Sequence, residues 1–274
     1  MTGGLQSATM STDIALRTEI VQALQGMAAL GLNKGTAGNI SVRAERGFYI
    51  SPTGVAYAGM TPDQIVLVDW DGSFEGGLLP SSEWRFHRDV LQQRPEFNAI
   101  VHTHSPHATA VGVLGHDIPA VHYMVAAAGG HSIRCAGYAT FGTAELGEAI
   151  LVALEGRRAC LMAHHGVLAA HADLARAMTL AVTVEEMAQL YLQVLPHPPL
   201  KVLPDDEMLR VLEKFRSYGQ PRRRGEGRDG PEVEAVAASA AALSDRTLPA
   251  RAGAGATPAR GRAAAATARG RRRG

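Results

Sequence analysis

The stretch "SSEWRFHRDVLQQRPEFNAIVHTHSPHATA", residues 81–110, carries two periodicities one after the other. Up to Arg94 the apolar positions recur at helical spacing, behind a serine pair suited to capping a helix. Arg94 precedes Pro95, which disfavours helical backbone at the residue before it and stops the helix there. "NAIVHTHS" then reads as a strand. The switch from helix to strand within thirty residues recurs along the chain and decides the fold class.

Upstream, Thr12 is positioned to cap a helix with Ile20, Val21, Leu24 and Met27 on one face, ending at Gly31. "NISVR", "GFYIS" and "QIVLVDW" read as short strands separated by turn residues. Downstream, "TAELGEAILVALEG" is predicted as a helix and "ACLMAHHGVLAA" as one strand. "DLARAMTLAVTVEEMAQLYLQVL" is predicted as a long helix capped by Asp173, and "DDEMLRVLEKFRSYG" as a final helix. Strands occur both in consecutive runs and between helices. This predicts one α/β domain with a mixed sheet covered by helices.

Composition bounds the rest. The chain has 274 residues, 46% of them hydrophobic, enough for one sizeable core. It holds no run of about eighteen apolar residues, so no membrane span is expected. "MTGGLQSATMSTD" has no basic region followed by an apolar stretch, so no signal peptide is expected. Two cysteines, Cys135 and Cys160, fit a reduced, cytoplasmic setting. Charge is unevenly spread: residues 221–274 hold twelve arginines and five acidic residues, against fifteen basic and twenty-one acidic residues in the remainder. The chain divides into a flexible N-terminus (1–11), a folded body (12–219) and an Ala/Arg/Gly-rich basic tail (220–274). The tail lacks the large apolar residues that offset conformational entropy and is expected to be disordered. No aromatic side chains interleave with its arginines, so nucleic acid is not an expected partner.

The histidines carry the chemistry. In a strand, residues i and i+2 face the same way, so His102 and His104 are expected to project side by side. His107 lies past Pro106 and need not join them. "MAHHGVLA" is also strand-like and ends in a glycine turn; it offers His164 and His165, and because adjacent strand residues face opposite ways only one of them can meet that pair. Three histidines and an exchangeable position describe a catalytic zinc site, and Glu83 is a candidate carboxylate beside them. Three stretches, "GTAGNIS" (35–41), "SPTG" (51–54) and "PSSE" (80–83), are rich in glycine and hydroxyl residues that can turn backbone N–H groups toward an anion. Because Glu83 directly follows Ser82, a phosphate is expected near the metal.

The order of "GLNKGTAGNISVR", "SPTGVAY", "LPSSEWRFHRDVLQQRPEFNAIVHTHSPHATAV", "IPAVHYMVAAAGGHSI", "YATFGT" and "HHGVLA…MAQLYL" resembles the class II aldolase/adducin family from about residue 13 to residue 219. The resemblance implies a three-layer α/β/α fold around a mostly antiparallel sheet. It also implies a homotetramer with active sites between subunits and one zinc ion per subunit. On the matching positions, Glu83, His102, His104 and His165 are the implied metal ligands. Asn39, Thr53, Gly54, Ser81 and Ser82 are the implied phosphate-binding residues. Glu83 is also the implied general base, and Tyr123 the residue that reaches the aldehyde oxygen across a subunit boundary. Phe141 and Tyr218 shape the aldehyde pocket.

The implied reaction is reversible cleavage of a ketose 1-phosphate, with L-fuculose 1-phosphate as the expected substrate, to dihydroxyacetone phosphate and L-lactaldehyde. Other deoxyketose-phosphate aldolases, L-ribulose-5-phosphate 4-epimerases and methylthioribulose-phosphate dehydratases are alternatives on the same fold. Epimerisation loses ground because "AAAGGHSI" holds no acidic residue. A non-catalytic, adducin-like interaction domain is the alternative of another class. The chain departs from the family pattern at the proline-rich "LPHPPLKVL" and at His131.

Overall fold

The computed structural model describes residues 3–217; Tyr218 and the basic tail lie outside the described residues. The first helix, α1, spans Gly3–Ala29. It therefore begins nine residues before the expected start at Thr12 and takes in most of the segment expected to be flexible. No proline interrupts that stretch, and Leu, Gln, Ala and Met are good helix formers, so the backbone does not need to stop at Thr12. The helix ends where expected: Gly31 adopts φ +70°, and the Leu32 amide bonds back to Met27.

Three strands follow, β1 (Asn39–Arg43), β2 (Gly47–Ile50) and β3 (Val66–Asp69). Helix α2 (Trp84–Gln93) leads into β4 (Ala99–Thr103). Arg94 ends α2, as its position before Pro95 predicts. The expected serine cap does not form. Glu83 occupies the N-cap position and its side chain caps nothing, because it is committed elsewhere. Ser81 Oγ accepts instead from the Glu83 amide at 3.3 Å and from Asn39 Nδ2 at 3.0 Å.

Beyond β4 come α3 (Pro106–Leu114), a 3₁₀ segment (Tyr123–Ala128), β5 (Arg134–Ala136) and α4 (Ala144–Ala153). "ACLMAHHGVLAA" is not one strand. It folds as a hairpin of β6 (Ala159–Met162) and β7 (Gly166–His171), with Met162 opposite Gly166. The reversal depends on His164, whose φ is +54°, a left-handed conformation that histidine adopts more readily than most side chains. Helices α5 (Leu174–Val194) and α6 (Asp205–Ser217) follow, the former capped by Asp173 as expected.

The sheet has seven strands in the order β3-β2-β1-β4-β7-β6-β5, antiparallel except for the β5–β6 pair. Its two faces bury separate cores. Ile40, Val42, Ala99, Val101, Val167 and Ala169 pack toward α1, α3, α5 and α6. Phe48, Ile50, Ile100, Cys160, Leu168 and Ala170 pack toward α2 and α4. Strand β4 is buried throughout and alternates between the two, so it lies at the centre of a three-layer α/β/α body. Among the described residues, no helix is long and apolar enough to cross a membrane.

Candidate active site

His102 lies on β4 two residues beyond Ile100 and shares its face, with its ring edge-on to Phe86 of α2 at 5.5 Å. His104 follows just past the strand end. His165 arrives from the β6–β7 turn, and β7 pairs with β4 so that Thr103 is opposite Val167. The glycine after His165 is needed sterically: a Cβ on Gly166 would lie 2.3 Å from the Thr103 carbonyl oxygen. The three imidazoles form a triangle with centroids 4.9, 4.9 and 5.0 Å apart and planes 74–77° to one another. Glu83 enters from the start of α2, with Oε2 3.2 Å from His102 Nε2 and Oε1 2.9 Å from His165 Nε2.

Glu83, His102, His104 and His165 each offer one ligand atom, and all four atoms lie within 4.8 Å of one another. The local chemistry fits a cation. His102 Nδ1 lies 2.8 Å from the Val167 carbonyl, an acceptor that fixes the proton on Nδ1 and leaves Nε2 facing the cluster. His102 Nε2 and His104 Nε2 stand 3.0 Å apart, close enough to serve a single ion. Three imidazole nitrogens and a carboxylate suit zinc and related divalent ions.

Burial disfavours charge on Glu83, but the charges and hydrogen bonds of His102 and His165 outweigh it and hold the carboxyl far below its ordinary range. His102 is wholly buried, yet its pairing with Glu83 raises its pKa. His104 is lowered to about 4 by burial and by the neighbouring histidines.

A cleft of about 330 Å³ opens over this cluster. Asn39, Thr53, Gly54, Ser81, Ser82, Glu83, His104, His165 and Phe141 all line it, and His102 lies buried beneath. The "SPTG" and "PSSE" stretches are joined by backbone: the Ser81 amide bonds to the Ser51 carbonyl at 3.0 Å, and Thr53 to Leu79 at 3.1 Å. Tyr57 anchors the third stretch by donating its hydroxyl to the Gly38 carbonyl at 2.6 Å.

Tyr123 does not line the cleft of its own chain. It starts the 3₁₀ segment, half exposed, with its ring 6.4 Å from Phe215. His107 is also separate, bonding through Nδ1 to Glu185 at 2.7 Å. His131 lies near Arg157, where burial and that charge lower its pKa. Residues not singled out from the sequence include Tyr138, which lines the cleft. Asn33 accepts from the His104 amide at 2.7 Å, and His87 is wholly buried behind Asn39. The Asn33 position falls just before "GTAGNIS" and was recognisable only as a polar residue beside a turn.

A three-layer α/β/α body with a carboxylate and three histidines at the foot of a hydroxyl-lined cleft defines a candidate metal-dependent enzyme. Residues 18–192 match the family model described as the class II aldolase and adducin N-terminal domain, and the chain belongs to that family. Among its relatives, the 5-methylthioribulose-1-phosphate/5-deoxyribulose-1-phosphate aldolase of Rhodospirillum rubrum is 53% identical over 206 residues, covering 75% of this chain and 93% of that protein. The L-fuculose phosphate aldolase of Escherichia coli is 52% identical over 205 residues, covering 74% of this chain and 95% of that protein. A solved L-fuculose 1-phosphate aldolase superposes with a TM-score of 0.72 at 38% identity, covering 74% of this chain and 96% of that one. The chain is thus a class II aldolase by family.

Proposed function

We propose that the protein is a zinc-dependent aldolase that reversibly cleaves a ketose 1-phosphate, L-fuculose 1-phosphate foremost, to dihydroxyacetone phosphate and L-lactaldehyde. One observation carries this reading: the anion-suited Ser81–Ser82 segment runs directly into Glu83, so a phosphate held there has its adjacent carbons over the histidine cluster. Glu83, His102, His104 and His165 would hold the zinc. The ion, when bound, supplies Lewis-acid stabilisation of the negative charge that develops on the substrate oxygens as the carbon–carbon bond breaks.

This chain's residues do the rest. Asn39, Thr53, Gly54, Ser81 and Ser82 bind and orient the phosphate. Glu83 is held ionised and takes and returns the proton on the reacting carbon. Phe141 and Tyr138 form the exposed wall against which the aldehyde end packs. Tyr123, remote from the cleft of its own chain, serves the site of a neighbouring subunit in a homotetramer, where it donates a proton to the aldehyde oxygen. The setting is cytoplasmic, and the basic tail takes no part in turnover.

The second reading keeps every role and changes the substrate to 5-deoxyribulose 1-phosphate or 5-methylthioribulose 1-phosphate. It is favoured by the relative of that name at 53% identity. The experiment is a metal-dependent cleavage assay over L-fuculose 1-phosphate, both of these phosphates and L-ribulose 5-phosphate. Preference for L-fuculose 1-phosphate in kcat/KM supports the first reading, and preference for a deoxypentulose phosphate supports the second. Failure to release dihydroxyacetone phosphate from any of them overturns both.

A further inference from the structure

Behind the cleft a chain of buried polar side chains leads to the Glu83 carboxylate. Ser41 Oγ stands 2.7 Å from His87 Nδ1. His87 Nε2 makes a short contact with Asn39 Oδ1. Asn39 Nδ2 lies 2.8 Å from Glu83 Oε2 and 3.0 Å from Ser81 Oγ. All five residues are buried, and Ser41 and His87 are fully so.

The direction of every bond in this chain can be deduced. An ionised carboxylate only accepts hydrogen bonds, so the Asn39 amide must turn its NH2 toward Glu83 and its oxygen toward His87. That oxygen also only accepts, so His87 must carry its proton on Nε2. Nδ1 is then an acceptor, and the Ser41 hydroxyl donates to it. Burial pushes the His87 pKa down to about 3, so a second ring proton does not disturb the order.

We propose that His87 is a positioning residue whose Nε2–H tautomer, set by Ser41, locks the Asn39 amide with its NH2 toward Glu83 and the phosphate-facing serine. The inference rests on the proposed reading of the cleft. With the lock in place, Asn39 donates one amide hydrogen to the carboxylate and the other to Ser81 Oγ, which leaves the Ser81 hydroxyl hydrogen to donate to an incoming anion. With the amide reversed, its oxygen would meet the Glu83 carboxylate at hydrogen-bond distance, oxygen against oxygen. The lock therefore acts on two properties at once: the aim of Glu83 into the metal cluster and the affinity for the phosphate.

The first experiment needs no turnover. Histidine ring ¹⁵N spectra of the zinc-loaded protein are expected to show one histidine, assigned by its loss in His87→Gln, as the neutral Nε2–H tautomer between pH 5 and 8. A proton on Nδ1, or titration in that range, overturns the proposal. The second compares His87→Phe, which keeps a buried ring but no polar atoms, with His87→Gln, whose amide can still donate to Asn39. In His87→Phe, zinc affinity by chelator competition and affinity for inorganic phosphate by calorimetry are each expected to fall about 10–100-fold, as for other residues that orient metal ligands. His87→Gln is expected to recover most of both. Wild-type affinities in a folded His87→Phe protein overturn the proposal. Because these readouts are binding and tautomer state, a protein that cleaves no ketose phosphate would refute the functional reading and leave this one standing.

Discussion

Acidification offers a direct measure of how deeply His87 is committed to its neutral form. In the unfolded chain a histidine titrates near pH 6.5, whereas in the fold burial lowers His87 to about 3. Between these values the unfolded state binds a proton that the native state refuses. Stability therefore rises with pH across this window, and the contribution of His87 is lost as pH falls from about 6.5 toward 3. One pKa unit corresponds to about 1.4 kcal/mol, so His87 alone removes about 2 kcal/mol on going from pH 8 to pH 5 and about 3 kcal/mol by pH 4. The assay is urea unfolding of wild type and His87→Phe at pH 8 and pH 5, with both proteins in the same metal-loading state. All other titrating groups are common to the two proteins, so the difference isolates His87 and the groups coupled to it. The pH-induced loss is expected to be smaller in His87→Phe by about 2 kcal/mol. Equal losses in the two proteins would refute the assignment of His87 as a buried neutral base.

Three further outcomes follow from other parts of the molecule. Glu83→Gln is expected to lower kcat by about 10²–10⁴-fold and to abolish exchange of the reacting-carbon proton of dihydroxyacetone phosphate with deuterated solvent, while the three histidines retain metal; unimpaired exchange would remove Glu83 from the proton transfer. Ser82→Asp sets a negative charge where the phosphate is read to bind, and KM for the phosphorylated substrate is expected to rise by at least about tenfold with metal content unchanged, as steady-state kinetics will show. Glu185 accepts the His107 and Ala108 amides at the start of α3, both at 2.9 Å. Glu185→Ala is expected to cost about 1–2 kcal/mol in denaturant unfolding through loss of that cap.

Much of this organisation was legible because short-range rules govern it. The i, i+2 spacing of His102 and His104 pointed to a shared direction, and although β4 ends at Thr103 the structure brings their Nε2 atoms to 3.0 Å. Arg94–Pro95, Asp173 and Gly31 acted as the stop and start signals that their chemistry predicts. The misses share a different cause. Gly166 marked a turn, but the β6–β7 reversal it belongs to was not legible, because the left-handed residue of that turn is His164. Helix α3 shows in the sequence only through Pro106, which suits a turn or a helix start, because "PHATAVGVL" lacks an amphipathic stripe. Glu83 was expected within a serine-capped first turn, but the pull of two histidines on its carboxylate leaves it at the cap position without capping. His87 was invisible as a partner of Asn39 because nearly fifty residues separate them, and only the packing of α2 on β1 brings them together.

The cleft joins two kinds of wall. Its floor is built from buried groups on or beside the central strands, each tied to a second partner: Asn39 to His87, His102 to Val167, Glu83 to two histidines. Its outer wall includes Tyr138 and Phe141, which are 66% and 64% exposed and lie outside both cores. A change in the floor disturbs several bonds and the sheet beneath it, whereas a change at the rim costs the fold little. Mutation can therefore explore the aromatic rim while the floor stays constant. On the proposed role of this rim, a lineage built this way can change which sugar it accepts without rebuilding the chemistry, and relatives at 53% and 52% identity bear different substrate names.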